Sequence, residues 1–333
     1  MLTACPQVSE KEVFDLAAAD SLPPFEAGTA SNYREITVIS GKGGTGKTTV
    51  TASLAQLAKN KILADNDVDA ADLHLLLAPR VRESHDFSGG VIANIIAEKC
   101  TACGFCEDAC HFNAIQKIAE SRDGIVDMFV ADPLKCEGCG LCALVCPHDA
   151  VTLENKVNGR WYVSHTDHGP MVHARLGIAE ENSGKLVSKV RERSWQLAKE
   201  YRQELILGDG PPGTGCPVMA SVTGTDIVVI VTEPTVSGVH DMERVLKLTA
   251  HFQVPAFIVI NKADLNAQQA ARIEEIAALN GAAVIGRIPF DQTVSDALMA
   301  GKTVIEFKDG KARQALLNIW AKIKTELNKM NGE

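Results

Sequence analysis

Residues 41–49 read Gly-Lys-Gly-Gly-Thr-Gly-Lys-Thr-Thr, directly after the β-branched run Ile36–Ile39 and at the head of a helical stretch, Lys47 to Lys59. A glycine-rich loop between strand and helix lets backbone N–H groups close on phosphate oxygens, and the helix N-terminus adds a favourable dipole. The loop needs a buried parallel strand to deliver the chain to it, which commits the fold to an α/β class. Gly41, Lys42, Gly43, Gly44, Thr45, Gly46, Lys47, Thr48 and Thr49 form the expected cradle for a nucleoside triphosphate. Lys47 is the residue expected on the β and γ phosphates, and the Thr48 hydroxyl the one expected on Mg²⁺.

The rest of the chain keeps this rhythm. Lys61–Asp65, Leu205–Asp209, Asp226–Thr232, Ala256–Ile260 and Ala283–Ile288 read as buried strands. Ser183–Tyr201, with Ser183 as its cap, Val239–Phe252 and Ala267–Leu279 read as helices. Strands alternating with helices imply a doubly wound, mostly parallel sheet, with ligands outside the carboxyl ends of the strands. From Asp86 to Val157 the rhythm breaks into glycines, cysteines and short strand-like pieces such as Gly124–Val130. It resumes afterwards, so residues 86–157 read as a small inserted α+β domain, and residues 34–85 with 158–333 as the nucleotide domain. The insert is rooted downstream of Asp65 and Asp67, which leads us to expect it near the nucleotide. Residues 1–33 are polar and acidic, with no basic region followed by an apolar core. They read as a flexible extension rather than a secretory signal.

Eight of the ten cysteines lie in the insert, as Cys100-x2-Cys103-x2-Cys106-x3-Cys110 and Cys136-x2-Cys139-x2-Cys142-x3-Cys146-Pro147. This is the bacterial ferredoxin pattern for two cubane clusters, in which three close thiolates hold one cluster and the distant fourth ligates the other. Cys100, Cys103, Cys106 and Cys146 are expected to hold one [4Fe–4S] cluster, and Cys136, Cys139, Cys142 and Cys110 the second. Two four-thiolate zinc sites are the alternative, although those usually use cysteines in pairs. The first run carries His111 where the second has Pro147. Such spacing is metal spacing rather than a disulfide framework, which implies a reduced, cytoplasmic compartment. A net charge of −9 argues against a general nucleic-acid binder. No stretch approaches the roughly 20 apolar residues of a membrane span.

The lysine before the glycine pair, in Lys42-Gly43-Gly44-Thr45-Gly46-Lys47-Thr48, resembles the deviant loop of the MinD/ParA and nitrogenase iron-protein superfamily. That resemblance implies ATP as ligand and an ATP-dependent dimer, of this chain or with a paralogue, in which Lys42 reaches the partner's nucleotide. Asp65-Asn66-Asp67 looks like the family's first switch, with Asp67 positioning water and Mg²⁺. Asp209-Gly210-Pro211-Pro212-Gly213 looks like its second metal-side motif, and Asn261-Lys262-Ala263-Asp264 like its base-contacting loop. On this resemblance Lys42, Lys47, Asp67 and Asp209 carry catalysis, and Asn261, Lys262 and Asp264 meet the base. Gly169-Pro170-Met171-Val172-His173-Ala174, followed by Glu181-Asn182-Ser183-Gly184-Lys185-Leu186-Val187, is similar to MinD-superfamily ATPases that carry an inserted ferredoxin domain.

Further features carry less. Cys216 follows the second switch and reads as packed, with a redox or ligand role as the alternative. His165, His168 and His173 cluster in sequence, yet strand alternation argues against a shared metal. The C-terminal amphipathic stretch Leu316–Leu327 reads as packing on the sheet, with membrane binding as the alternative. The chain is thus expected to be an ATP-hydrolysing iron–sulfur protein that passes electrons to a redox partner. A cluster-delivery scaffold and a redox-sensing positioning ATPase are its rivals.

Overall fold

The computed structural model describes residues 25–30, 32–118, 128–177 and 183–332. The Gly124–Asp127 part of the expected strand Gly124–Val130, the pair Glu181-Asn182 and the first 24 residues lie outside the described ones. The strands are β1 (Arg34–Ser40), β2 (Lys61–Asp65), β3 (Arg80–Phe87), β4 (Gly90–Ile95), β5 (Ile115–Ile118), β6 (Met128–Ala131), β7 (Val151–Lys156), β8 (Gly159–Thr166), β9 (Gly169–Leu176), β10 (Leu205–Pro212), β11 (Ile227–Thr232), β12 (Ala256–Asn261) and β13 (Ala283–Ile288). Two compact units result. The larger takes Met1–His85, Trp161–Arg175 and Ser183–Glu333, and the smaller takes Asp86–Arg160 and Leu176–Asn182.

A nine-stranded sheet runs in the order β13-β12-β11-β1-β10-β2-β9-β8-β3. β1 pairs in parallel with β10 and β11, β2 with β10 and β9, and β12 with β11 and β13. The inner strands are apolar on both faces, as parallel strands covered by helices must be; all six residues of β11, Ile-Val-Val-Ile-Val-Thr, are buried. On one face Val38, Leu63, Leu207 and Val229 pack with the helices Lys47–Leu57 and Lys311–Asn331. On the other, Val228, Ile230 and Ile258 pack with the helices Cys216–Val222, Val236–His251 and Ala267–Leu279. The C-terminal helix buries Leu316, Ile319, Trp320 and Ile323. Ile319 occupies the space beside β13 that a Cβ at Gly286 would fill at 2.1 Å, so the apolar stripe belongs to the core. No helix among the described residues is long and apolar enough to cross a membrane.

Three sheet members were not legible as strands of the sheet: β3, β8 and β9. β3 is mostly uncovered, while β8 and β9, each with five of eight residues buried, interrupt their apolar runs with polar residues such as Ser164 and His173 that pair with each other. Residues 25–30, expected within a flexible extension, are held by hydrogen bonds from Gly28 N to Tyr201 O at 2.7 Å and from Ala30 N to Arg202 O at 3.1 Å. Phe25 is buried.

The smaller unit pairs β4 with β7 and β5 with β6, both antiparallel. Its core, with Ala93, Ile95, Ile115, Phe129 and Val151, includes Cys106 and Cys142.

Candidate functional site

The carboxyl ends of β1, β2, β10, β11 and β12 bring the phosphate loop and the strand-end residues together in the larger unit. Gly46 caps the loop helix with φ +87, in the left-handed region that favours glycine. A Cβ there would lie 2.4 Å from Asn261 Nδ2, which donates to the Thr45 carbonyl at 2.8 Å. A Cβ at Gly43 or Gly44 meets nothing within 4 Å. The loop therefore opens away from the protein while Asn261 braces it from beneath.

Lys47 sits among carboxylates. Its ammonium lies 3.0 Å from Asp209 Oδ2 and 3.3 Å from Asp67 Oδ2, with only 7% of the side chain exposed. Burial alone pulls the Lys47 pKa down, but the charges of Asp209, Asp67 and Asp65 outweigh it and the net direction is up. Asp209 also accepts from Thr48 Oγ1 and Thr51 Oγ1, each at 2.7 Å. Desolvation, reinforced by Asp209, raises the Asp65 pKa, and desolvation raises that of Asp67. Four buried polar atoms here have no hydrogen-bond partner: Thr45 Oγ1, Asp65 Oδ2 and both side-chain atoms of Asn66. Buried polar groups are normally satisfied. An oxygen-rich pocket with spare acceptors and surplus negative charge fits Mg²⁺ and its waters.

The remaining expected residues have their own partners. Lys42 Nζ lies 3.1 Å from Ser237 Oγ, 3.4 Å from Thr235 Oγ1 and 4.0 Å from Glu233 Oε2, within its own chain. Lys262 pairs with Glu233 Oε1 at 2.7 Å. Asp264 Oδ1 accepts from the Phe290 N–H at 2.6 Å, tying the loop after β12 to the segment after β13. Glu233, Thr235 and Ser237 escaped sequence reasoning. Their one signal is Thr235, which caps the helix Val236–His251 by accepting from Gly238 N.

In the smaller unit the two cysteine runs adopt matching shapes. Ala102 and Gly138, in equivalent places, have φ +56 and +65; Asn113 and Asp149 have φ +50 and +48. One cavity is lined by Cys100, Cys103, Cys106 and Cys146, and another by Cys136, Cys139, Cys142 and Cys110. Each draws three cysteines from one run and the fourth from the other. Backbone N–H groups of Ala93, Ala114 and Ala150 point at Cys136, Cys110 and Cys146 Sγ at 3.5, 3.4 and 3.3 Å. As a free thiol Cys106 is pushed up to about 11 by burial, so ligation there must displace a proton. His111, Cys103 and Cys139 are exposed.

Cys216 is exposed at the start of its helix, its Cβ 3.3 Å from where a Cβ at Gly184 would lie. His173 is buried in β9 with Nε2 2.8 Å from Ser164 Oγ, while His165 and His168 line a separate cleft.

Comparison with known proteins finds relatives over most of the chain. Residues 36–304 match the CobQ/CobB/MinD/ParA nucleotide-binding domain. The chain is 31% identical over 293 residues to the uncharacterized protein MJ0578 of Methanocaldococcus jannaschii, covering 87% of this chain and 96% of that one. It is 23% identical over 317 residues to the iron–sulfur cluster carrier protein of Pyrococcus abyssi, covering 90% and 88%. A 59-residue stretch is 44% identical to a ferredoxin-like protein in the nif region of Sinorhizobium fredii, covering 16% of this chain and 81% of that one. Among solved structures, the septum site-determining protein MinD with Mg-ADP from Pyrococcus horikoshii superposes with a TM-score of 0.51 at 18% identity, covering 88% and 96%. The sheet order, the loop braced by Asn261 and the match from Ile36 to Val304 all lead to one assignment: the chain belongs to the CobQ/CobB/MinD/ParA family of nucleotide-binding proteins.

Proposed function

We propose that this protein is an ATP-hydrolysing iron–sulfur protein whose nucleotide cycle gates electron transfer through two [4Fe–4S] clusters. The observation that carries the iron–sulfur part is the pair of cavities, each lined by four cysteines from crossed runs. In a cubane each thiolate binds a different iron, so its four ligands stand further apart than around one zinc. N–H donors to sulfur and the apolar lining from Ile95, Phe129 and Val151 are features that tune such clusters. Cys100, Cys103, Cys106 and Cys146 would hold one cluster, and Cys110, Cys136, Cys139 and Cys142 the other, storing one electron each when bound.

In the nucleotide unit the loop's N–H groups and Lys47 would bind the phosphates, and Thr48, Asp67 and Asp209 would hold Mg²⁺ directly or through water. Lys47 would exchange its contacts with Asp67 and Asp209 for the phosphates, leaving both carboxylates free to hold Mg²⁺, which would supply positive charge there. Lys42, held by Ser237 and Thr235 in the single chain, completes the partner's site when a dimer closes. A redox protein is the implied partner. Similarity to an iron–sulfur cluster carrier protein favours one second reading, in which the clusters themselves are delivered.

Anaerobic reconstitution separates the readings. Electron transfer predicts about eight irons and eight sulfides per chain, retained through cycles of reduction and reoxidation with ATP. Loss of iron to an apo-acceptor in the presence of ATP, with no reversible couple, would establish delivery instead. Zinc at two per chain, with no sulfide, would end both.

A further inference from the structure

The sequence segment His165-Thr166-Asp167-His168-Gly169-Pro170 finds no task in nucleotide or cluster chemistry. In the larger unit it lines a cleft of about 650 Å³, together with Phe25, Gln56, Lys59, Lys61 and Gln203. That volume is typical of small-molecule sites. The cleft lies at the start of β2, whose other end carries Asp65 and the nucleotide residues, so it is a different site.

Lys61 is the informative group. Its side chain is 7% exposed, it donates to the Ala58 carbonyl at 2.8 Å, and among the described residues no carboxylate pairs with it. Burial alone lowers its pKa to about 8, which still leaves it mostly charged at neutral pH. A buried ammonium without a counter-charge is costly, and proteins normally pair it. Glu26 also lines the cleft, as an exposed residue that is not paired with Lys61. Asp167 is bonded to Arg80 at 3.0 Å with 87% of its side chain exposed.

The neighbours add donors. His165 Nδ1 is buried without a hydrogen-bond partner, and its ring stacks on Phe25 at 5.8 Å. His168 lies within the field of Lys61, whose charge, after burial, depresses its pKa. Gly169 has φ +119, and a Cβ there would stand 3.2 Å from the Lys61 carbonyl, so glycine lets this turn close on β2. Thr166 Oγ1 accepts from His168 N at 3.1 Å and donates to Gly169 O at 2.8 Å, which sets the turn.

We propose that this cleft is a second ligand site, for a small molecule bearing an oxyanion, a phosphate or a carboxylate, recognised by Lys61 with His165 and His168. The anion would supply the counter-charge Lys61 lacks and the acceptor His165 Nδ1 lacks, with Phe25 as an apolar wall.

The test uses the full chain saturated with Mg-ADP, so that the phosphate loop is already occupied. Calorimetric titrations with inorganic phosphate and with malonate separate the two oxyanion sources. Saturable one-to-one binding of either is expected, with chemical-shift changes at the His165 and His168 imidazoles. Lys61→Met should weaken it at least tenfold while Mg-ADP affinity stays unchanged, and His165→Phe should weaken it independently. No saturable binding of either probe, or equal affinity in both variants, overturns the site.

Discussion

Asn261 shows how packing can give a side chain a task that its sequence motif does not announce. Expected by resemblance at the base, it also donates to the Thr45 carbonyl at 2.8 Å and fills the space beside Gly46. Asn261→Ala removes one hydrogen bond of about 1 kcal/mol and frees the loop that must meet the phosphates. ADP affinity should therefore fall about three- to tenfold, read by fluorescence anisotropy of a labelled nucleotide. Unchanged affinity would show that the loop needs no brace. Lys47 is the same lesson in charge. Two carboxylates at 3.0 and 3.3 Å hold it, a fact visible only when β2 and β10 lie side by side.

Among elements, the helix Ser183–Glu200 is pinned to β1 by a buried ion pair. Arg191 reaches both Glu35 carboxylate oxygens at 2.7 Å and the carbonyls of Ala220 and Thr223 at 2.7 Å. Trp195 Nε1 adds a bond to Glu35 at 2.9 Å. Arg191→Met strands a buried carboxylate and two carbonyls, and should cost about 3–5 kcal/mol in urea unfolding. Arg191→Met with Glu35→Leu should recover much of it, which tests whether charge rather than volume decides. In β9, burial holds the His173 pKa down to about 3, with the charge of His74 adding to it. A histidine depressed in the fold binds fewer protons than in the unfolded chain across the window from about 6.5 to about 3. Its stability contribution is therefore whole above pH 6.5 and is lost as pH falls through that window, by on the order of 5 kcal/mol. Urea midpoints from pH 7 to 4 should fall steeply in the native chain and less steeply in His173→Gln.

At the scale of the whole molecule, the proposed function joins a nucleotide site and two clusters in one chain, and linkage makes that joining measurable. β9, which pairs with β2, leads the chain into the smaller unit at Leu176. If ATP binding adds negative charge and a drier setting to the clusters, it lowers their potential. For a one-electron couple, about 59 mV of shift means that ATP binds about tenfold more weakly to reduced protein. Midpoint potentials with and without a nonhydrolysable analogue, and its affinity for each redox state, should move together. If neither moves, ATP does not tune cluster energy.

The sequence by itself determined what local pattern can carry. Period and β-branching marked β1, β2, β10, β11, β12 and β13 to within a few residues. Glycines at set offsets marked a phosphate loop, and cysteine spacing marked a separate small unit, because those signals depend on neighbours a few positions away. Tertiary structure decided everything that joins distant segments. It drew β3, β8 and β9 into the sheet, set Asn261 against Thr45 and Lys42 against Ser237, and brought Cys146 beside Cys100 and Cys110 beside Cys136. It also seated Ile319 where Gly286 leaves room. These partners are separated by tens to hundreds of residues. No local window encodes them; they follow from strand order and from the need to bury apolar faces and satisfy buried polar groups together.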